Sequence, residues 1–373
     1  MWQTYKLTWV RLIRHHYISV LIMLLTVILC WPALTARINN RTGTEAVIRY
    51  EQRSADNSQA LDRIAAGKYH QAPDEPSRLQ RIHENDLLDA ILSTMRYGHR
   101  DRLLTYQKLH YETYLLREIK QGQAGQTAPD LLTQRLHVAT LTHLLRTHTQ
   151  EVEPDTQFPP ALTTIATALQ SPSTQMLLMT VIVLWAAISV LDDERANLRN
   201  FGQMLPMSVI SRRTSKIAAT MTAFIAVLLS SLLFAIVGIW LFNGLGDWHY
   251  PLAYSPHGTV ILFTATGRFI VQSIALIIVN FAWLLMLAAL VNTIWRQVLV
   301  NIVAVMIPLI SSGTQIKWLP STFLNVKEIL LPINSTHDYS TEFSLLIPVV
   351  WSALLFVILL VISQCDDNNW RLS

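Results

Sequence analysis

Seven histidines fall in one polar stretch of this chain: His70, His83, His99, His110, His137, His143 and His148. Imidazole is a common zinc ligand, so metal chemistry is the first thing to look for. The spacing does not build a site. No two of these residues stand four apart, and His83-Glu84 lacks the second histidine of HExxH. Scattered surface or hydrogen-bonded histidines are the simpler reading. The only Gly-Lys pair, Gly67-Lys68, is followed by Tyr69, so no phosphate-cradling P-loop is present. The G-x-S-x-G and CxxC patterns are missing too. Few carboxylates fall in apolar runs, which argues against an intramembrane proton relay. No catalytic residue, cofactor ligand or metal ligand emerges. Transport against a gradient would need energy from another subunit.

What remains is a charge pattern. Residues 191–216 read LDDERANLRNFGQMLPMSVISRRTSK and separate two apolar runs, 176–190 and 217–242. Each run is long enough to be a span once its ends are extended, since crossing the bilayer core takes ~20 apolar residues. The linker carries Arg195, Arg199, Arg212, Arg213 and Lys216 against Asp192, Asp193 and Glu194. Short loops rich in Lys and Arg stay on the cytoplasmic side. The linker is therefore expected inside the cell, and it sets the topology of the rest.

Composition agrees. The 373 residues are 51% hydrophobic and 14% charged, against about 25% charged in soluble domains. The charge deficit is concentrated in blocks, as in a polytopic membrane protein with a soluble insert. A net charge of +4 without a basic stripe speaks against a nucleic-acid partner. Cys30 and Cys365 both lie outside the large polar region, which can hold no internal disulfide.

In chain order, residues 1–16 mix Trp2, Tyr5 and Trp9 with Lys6, Arg11 and Arg14. This fits a helix lying in the membrane interface, or a plain cytoplasmic flank. Residues 17–36 form the first span. Its apolar core exceeds that of a signal peptide, and Trp31-Pro32 and Arg37 make a poor cleavage site, so it is expected to be a retained anchor. Region 37–173 is too long for a loop. Apolar residues at helical spacing over 79–95, 103–119 and 131–145 predict a mainly helical extracytoplasmic domain. Strand-like alternation is confined to 46–50. Residues 174–191 are the second span, 192–216 the linker, and 217–363 hold spans three to six. These are 217–242, one within 260–291, a short one at 298–311 with Pro308, and 343–363. A broken segment, 312–341, is expected half-inserted at the outer face. The tail 364–373 returns to the cytoplasm. Arg268 sits toward the outer end of the fourth span. It is a candidate for a substrate path, or it reaches out to the headgroups. The expected fold class is an all-α polytopic membrane protein with six transmembrane helices, in the plasma membrane, with both termini cytoplasmic.

The linker reads as a docking element. Leu198, Phe201, Met204 and Leu205 give a short helix an apolar stripe. Pro206 ends that helix, and Ser208 can cap a new one. The pattern resembles that of ABC-2 type transporter permeases. In those, an acidic start is followed by apolar residues, Leu-Pro-x-Ser, a basic or aliphatic stretch and a Lys. The matching residues are Asp193, Glu194 and Arg195, then Phe201, then Leu205-Pro206-Met207-Ser208, then Ile210 to Arg213 with Arg212, and Lys216. Ala196-Asn197 stand where Gly-Thr is often found. The six-span layout is similar over nearly the whole chain. The resemblance implies a subunit that binds no ATP itself. Its partners would be two cytoplasmic ABC ATPases, a second permease (a copy or a paralogue) and the lipid bilayer. The linker would be the coupling helix, and the cargo an amphipathic peptide, drug, lipid or glycan, or sometimes an ion. The competing readings are a membrane-anchored sensor and an intramembrane enzyme. Six spans are many for the first, and the second would need titratable residues clustered at one depth.

Overall fold

The structure is a computed structural model. It describes the chain apart from residues 1, 3, 4, 7, 11–16, 40–44, 68–77, 97–101, 123–129, 150, 153–158, 196–207, 296, 311–318, 334–340, 372 and 373. The helices run α1 (Tyr17–Asn39), α2 (Glu45–Ala65), α3 (Arg78–Arg96), α4 (Arg102–Lys120), α5 (Leu131–Thr147), α6 (Ala161–Gln170), α7 (Pro172–Arg195) and α8 (Val209–Asn243). A hairpin of β1 (Pro251–Tyr254) and β2 (Leu262–Ala265) follows. Then come α9 (Thr266–Ile294), α10 (Val298–Ile310), a 3-10 turn (Pro320–Leu324), α11 (Val326–Leu330) and α12 (Thr341–Arg371).

Five of these, α1, α7, α8, α9 and α12, contain a stretch long and apolar enough to cross a membrane. The chain is a helical membrane-spanning protein. The run expected as a fifth span is α10, which has 13 residues and contains Pro308. At 1.5 Å per residue it reaches about 20 Å, short of the ~30 Å hydrocarbon core. Conversely α8 has 35 residues and extends about 52 Å. Its apolar stretch begins at Ile217, so its first two turns, which carry Arg212, Arg213 and Lys216, project past the apolar part.

Lipid is as apolar as leucine, so helices in a membrane associate by close packing rather than by expulsion from water. The bundle centre shows this. Phe224 of α8 and Phe281 of α9 stack at 3.8 Å between ring centroids, and Trp185 of α7 lies 5.3 and 5.7 Å from them. Around the trio, Ala186, Ala187, Ala219, Ala223 and Ala288 are fully buried and let the backbones approach. Between α1 and α8, the Ser231 hydroxyl donates to the Ile22 carbonyl at 3.3 Å.

Helix α6 was expected as part of the polar region 37–173, yet it packs against α1, α7, α8 and α9. Ala161, Leu162, Ile165, Ala168 and Leu169 are buried. The first N–H groups of a helix lack internal partners. Here the loop after α8 supplies them: Ala161 N–H donates to Gly244 O and Leu162 N–H to Leu245 O, both at 3.0 Å.

Helices α2 to α5 form a separate polar unit in which each packs on the next. Its core is Leu88, Ile91, Leu104 and Tyr111, with Tyr50, Leu87 and Met95 against them. Residues 46–50, read as strand-like, are the start of α2. The strands lie elsewhere, in the hairpin after α8, and β2 falls at the start of the range 260–291 in which the fourth span was expected. They pair antiparallel with Pro251 opposite Ala265 and Tyr254 opposite Leu262.

Candidate coupling site

The two ends of the linker fall among the described residues. Asp193, Glu194 and Arg195 are the last three residues of α7. Phe201, Leu205 and Pro206 lie outside the described residues. Ser208 is the N-cap of α8: its backbone is extended, and its side chain accepts a hydrogen bond from Ser211 N–H at 3.2 Å. A serine at this position satisfies a donor the helix start cannot satisfy itself.

The basic residues that follow are tied into the bundle. Lys216 Nζ donates to the Val190 carbonyl in the last turns of α7, at 3.0 Å. Arg213 Nη1 donates to Ser363 Oγ of α12 at 2.6 Å, and Ser363 donates in turn to Leu359 O at 2.6 Å. Arg212, on the same two turns, is half-buried. Near the same end, Asn301 of α10 donates to Ala187 O of α7 at 3.1 Å. The start of α8 thus holds α7 and α12 directly and meets α10 through α7. Residues of the N-terminal segment join it from outside: Tyr5 Oη and Trp9 Nε1 both meet Thr222 Oγ1 of α8, at 2.9 and 3.1 Å. Sequence reasoning marked the cations but not their partners. A backbone carbonyl and a lone serine leave no pattern in a sequence.

The far end of α8 meets the polar unit through the hairpin. Helix α5 packs on β1. The Arg135 guanidinium of α5 donates to Gly258 O at 3.1 Å and Thr259 O at 3.0 Å in the hairpin turn. The His143 ring stacks on Phe263 of β2 at 4.5 Å. The hairpin is in turn fixed to α9. Thr266 N–H and its hydroxyl both donate to Tyr250 O at 2.9 Å, and Gly267 N–H donates to Trp248 O at 2.9 Å. A side chain at Gly267 would run into the Trp248 ring. Arg268 is the third residue of α9 and is exposed, at the hairpin end of the bundle. The polar unit and the linker therefore sit at opposite ends of α8.

Within the polar unit a charged network is buried. Glu84 accepts from Tyr111 Oη at 3.2 Å and pairs with Arg53 at 3.3 Å. Glu112 accepts from Gln134 Nε2 at 2.6 Å and from Tyr50 Oη at 3.4 Å. Burial pushes the Tyr111 and Tyr114 hydroxyls well above the usual phenol range. Burial, and then the Glu84 charge, raise the Glu118 carboxyl. These groups pair with one another. Among the described residues no three His, Cys, Asp or Glu side chains gather as a metal site requires.

No protein-family model matches this chain, and neither a curated protein nor a solved structure matches it significantly.

Proposed function

We propose that this chain is the permease subunit of an ATP-driven transporter of the ABC-2 type, exporting an amphipathic substrate such as a peptide, drug or lipid-like molecule. ATP would be bound and hydrolysed on separate cytoplasmic ATPase subunits docked on the linker, and a second permease, a copy or a paralogue, would complete the channel. In this reading α10 is the short fifth of six spans, the polar unit faces outward, both termini are cytoplasmic, and the membrane is the plasma membrane.

One observation carries the reading beyond resemblance. The helix capped by Ser208 runs unbroken from the linker through its apolar stretch, and its first turns grip α7 through Lys216 and α12 through Arg213. A push on the linker would reach three long helices at once, as a coupling element requires. The polar unit at the opposite end of α8 fits an outward domain, because the basic linker favours the inside.

The test is a mild-detergent pull-down of the tagged chain from its native membrane, followed by an ATPase assay. A stoichiometric nucleotide-binding partner is expected. A Phe201→Asp, Leu205→Asp double variant should lose that partner, or its stimulation, while keeping its thermal melt. If no ATPase co-purifies, or the double variant stimulates one normally, the reading fails.

A further inference from the structure

We propose that the groove between α3 and α4 binds an apolar or aromatic group that carries a carboxylate. The inference stands on the polar unit alone and goes beyond the transport reading. The groove is an open cleft of about 300 Å³, with Tyr106, His110, Thr113 and Arg117 exposed along it, at the lower end of the range for small-molecule sites. Its polar side is one face of α4. Tyr106, His110, Thr113 and Arg117 recur at intervals of four, three and four residues, which puts them in a row. Its wall is Leu109, Tyr114 and, from α3, His83.

The wall is preset. The His83 ring packs edge-on against Tyr114 with centroids 5.2 Å apart. The Tyr114 hydroxyl donates to Gln80 O at 3.3 Å, which fixes the ring in place. The side chains of His110, Thr113 and Arg117 make no hydrogen bond or ion pair among the described residues, though the Arg117 charge acts on the neighbouring Glu118. Arg117 lies at one end of the row, with its fork of donors suited to a carboxylate. No carboxylate lines the cavity. Glu84 and Glu118 are buried and turned into the network with Arg53, Tyr111 and Gln80. A site with one guanidinium, two imidazoles and an aromatic wall selects an anion joined to an apolar body. The cavity has room for about one aromatic residue. The carboxylate could belong to a free aromatic acid or to the last residue of a peptide.

The experiment is calorimetric titration of the full chain in lipid nanodiscs, without nucleotide or partner. The probes are N-acetyltryptophan, its amide, and a tripeptide ending in tryptophan with a free or an amidated C-terminus. Saturable binding of a carboxylate probe is expected, with the matching amide weaker by about tenfold. Arg117→Gln should weaken the carboxylate by a similar factor. Lys120→Gln, at an exposed cation outside the cavity on the same helix, should leave it unchanged. Binding of N-acetyltryptophan would identify a free acid as a sufficient ligand. Binding of the tripeptide alone would identify a peptide terminus. The proposal is overturned if neither carboxylate binds, if the amides bind equally well, or if Lys120→Gln loses as much as Arg117→Gln. Because no ATPase enters the measurement, its failure would leave the transport reading untouched, and the reverse also holds.

Discussion

Lys216 Nζ donates to the Val190 carbonyl at 3.0 Å, and so the two helices flanking the linker are fastened where the linker joins them. The amine leaves α8 within its first turns and reaches the last turns of α7. A residue that sequence reading placed in a docking surface is here also a strut between the two helices that surface would drive. Removing the strut separates these roles. Lys216→Met keeps the apolar stem and loses the charged donor. It should cost about 1 kcal/mol, below the ~1.5–3 kcal/mol of a buried hydrogen bond to a charged group, because Lys216 is only half-buried. Thermal melting in detergent should show a small drop. A cysteine pair bridging the end of α7 and the start of α8 should cross-link less readily in the variant. Unchanged cross-linking would mean that the helices are held by packing alone.

The contact between Trp248 and Gly267 gives a sharper prediction. The indole covers the first turn of α9 so closely that a methyl at Gly267 has no room. Gly267→Ala should destabilise by about 1–3 kcal/mol through overpacking. Adding Trp248→Ala should recover part of that loss, since the two residues are in contact and their effects are not additive. A double-mutant cycle from melting curves measures the coupling. Additive losses would place the collision elsewhere.

Arg135 reaches two carbonyls of the hairpin turn with one guanidinium. Lysine carries the charge but not the fork. Arg135→Lys should therefore loosen the hairpin nearly as much as Arg135→Ala. Hydrogen exchange over residues 251–265 should rise in both variants, while protection within α3 and α4 stays as it is. If lysine restores protection, charge rather than geometry holds the turn.

Parts of this arrangement are legible in the sequence, and the illegible parts share a cause. Apolar residues at helical spacing predicted helices over 79–95, 103–119 and 131–145, and α3, α4 and α5 stand there, with leucines or isoleucines on each buried face beside polar groups such as Glu84, Glu112 and Gln134. Helix α2 was missed because its less exposed face runs through Tyr50, Arg53, Ser54 and Asn57. Such a face is read by partners such as Glu84 and Glu112, not by hydropathy. The spans followed from apolar length, but α10 is too short for length to decide. The Ser208 cap was legible because capping depends on a residue and its next few neighbours. The contacts of Lys216, Arg213 and Arg135 were not, because each joins residues remote in sequence.

Glu118 ties the stability of the polar unit to pH. It is buried in α4, with both carboxylate oxygens 3.4 Å from Gln80 Nε2. Burial is the larger cause of its raised pKa and the Glu84 charge the next; hydrogen bonds from Gln80 and Tyr114 and the Arg117 charge only partly offset them. A carboxyl raised above its ordinary value of 4.5 binds its proton more tightly in the folded chain than in the unfolded one. Between the unfolded and the folded pKa the native state holds more protons, so unfolding free energy falls as pH rises through that window. Above the folded pKa the cost is complete and this slope vanishes. Glu118→Gln keeps the shape and removes the proton exchange. Melting temperatures taken from pH 4 upward should therefore converge at the acid end, with the variant gaining on the parent as pH increases. A constant offset between the two curves would mean that Glu118 is not the titrating group.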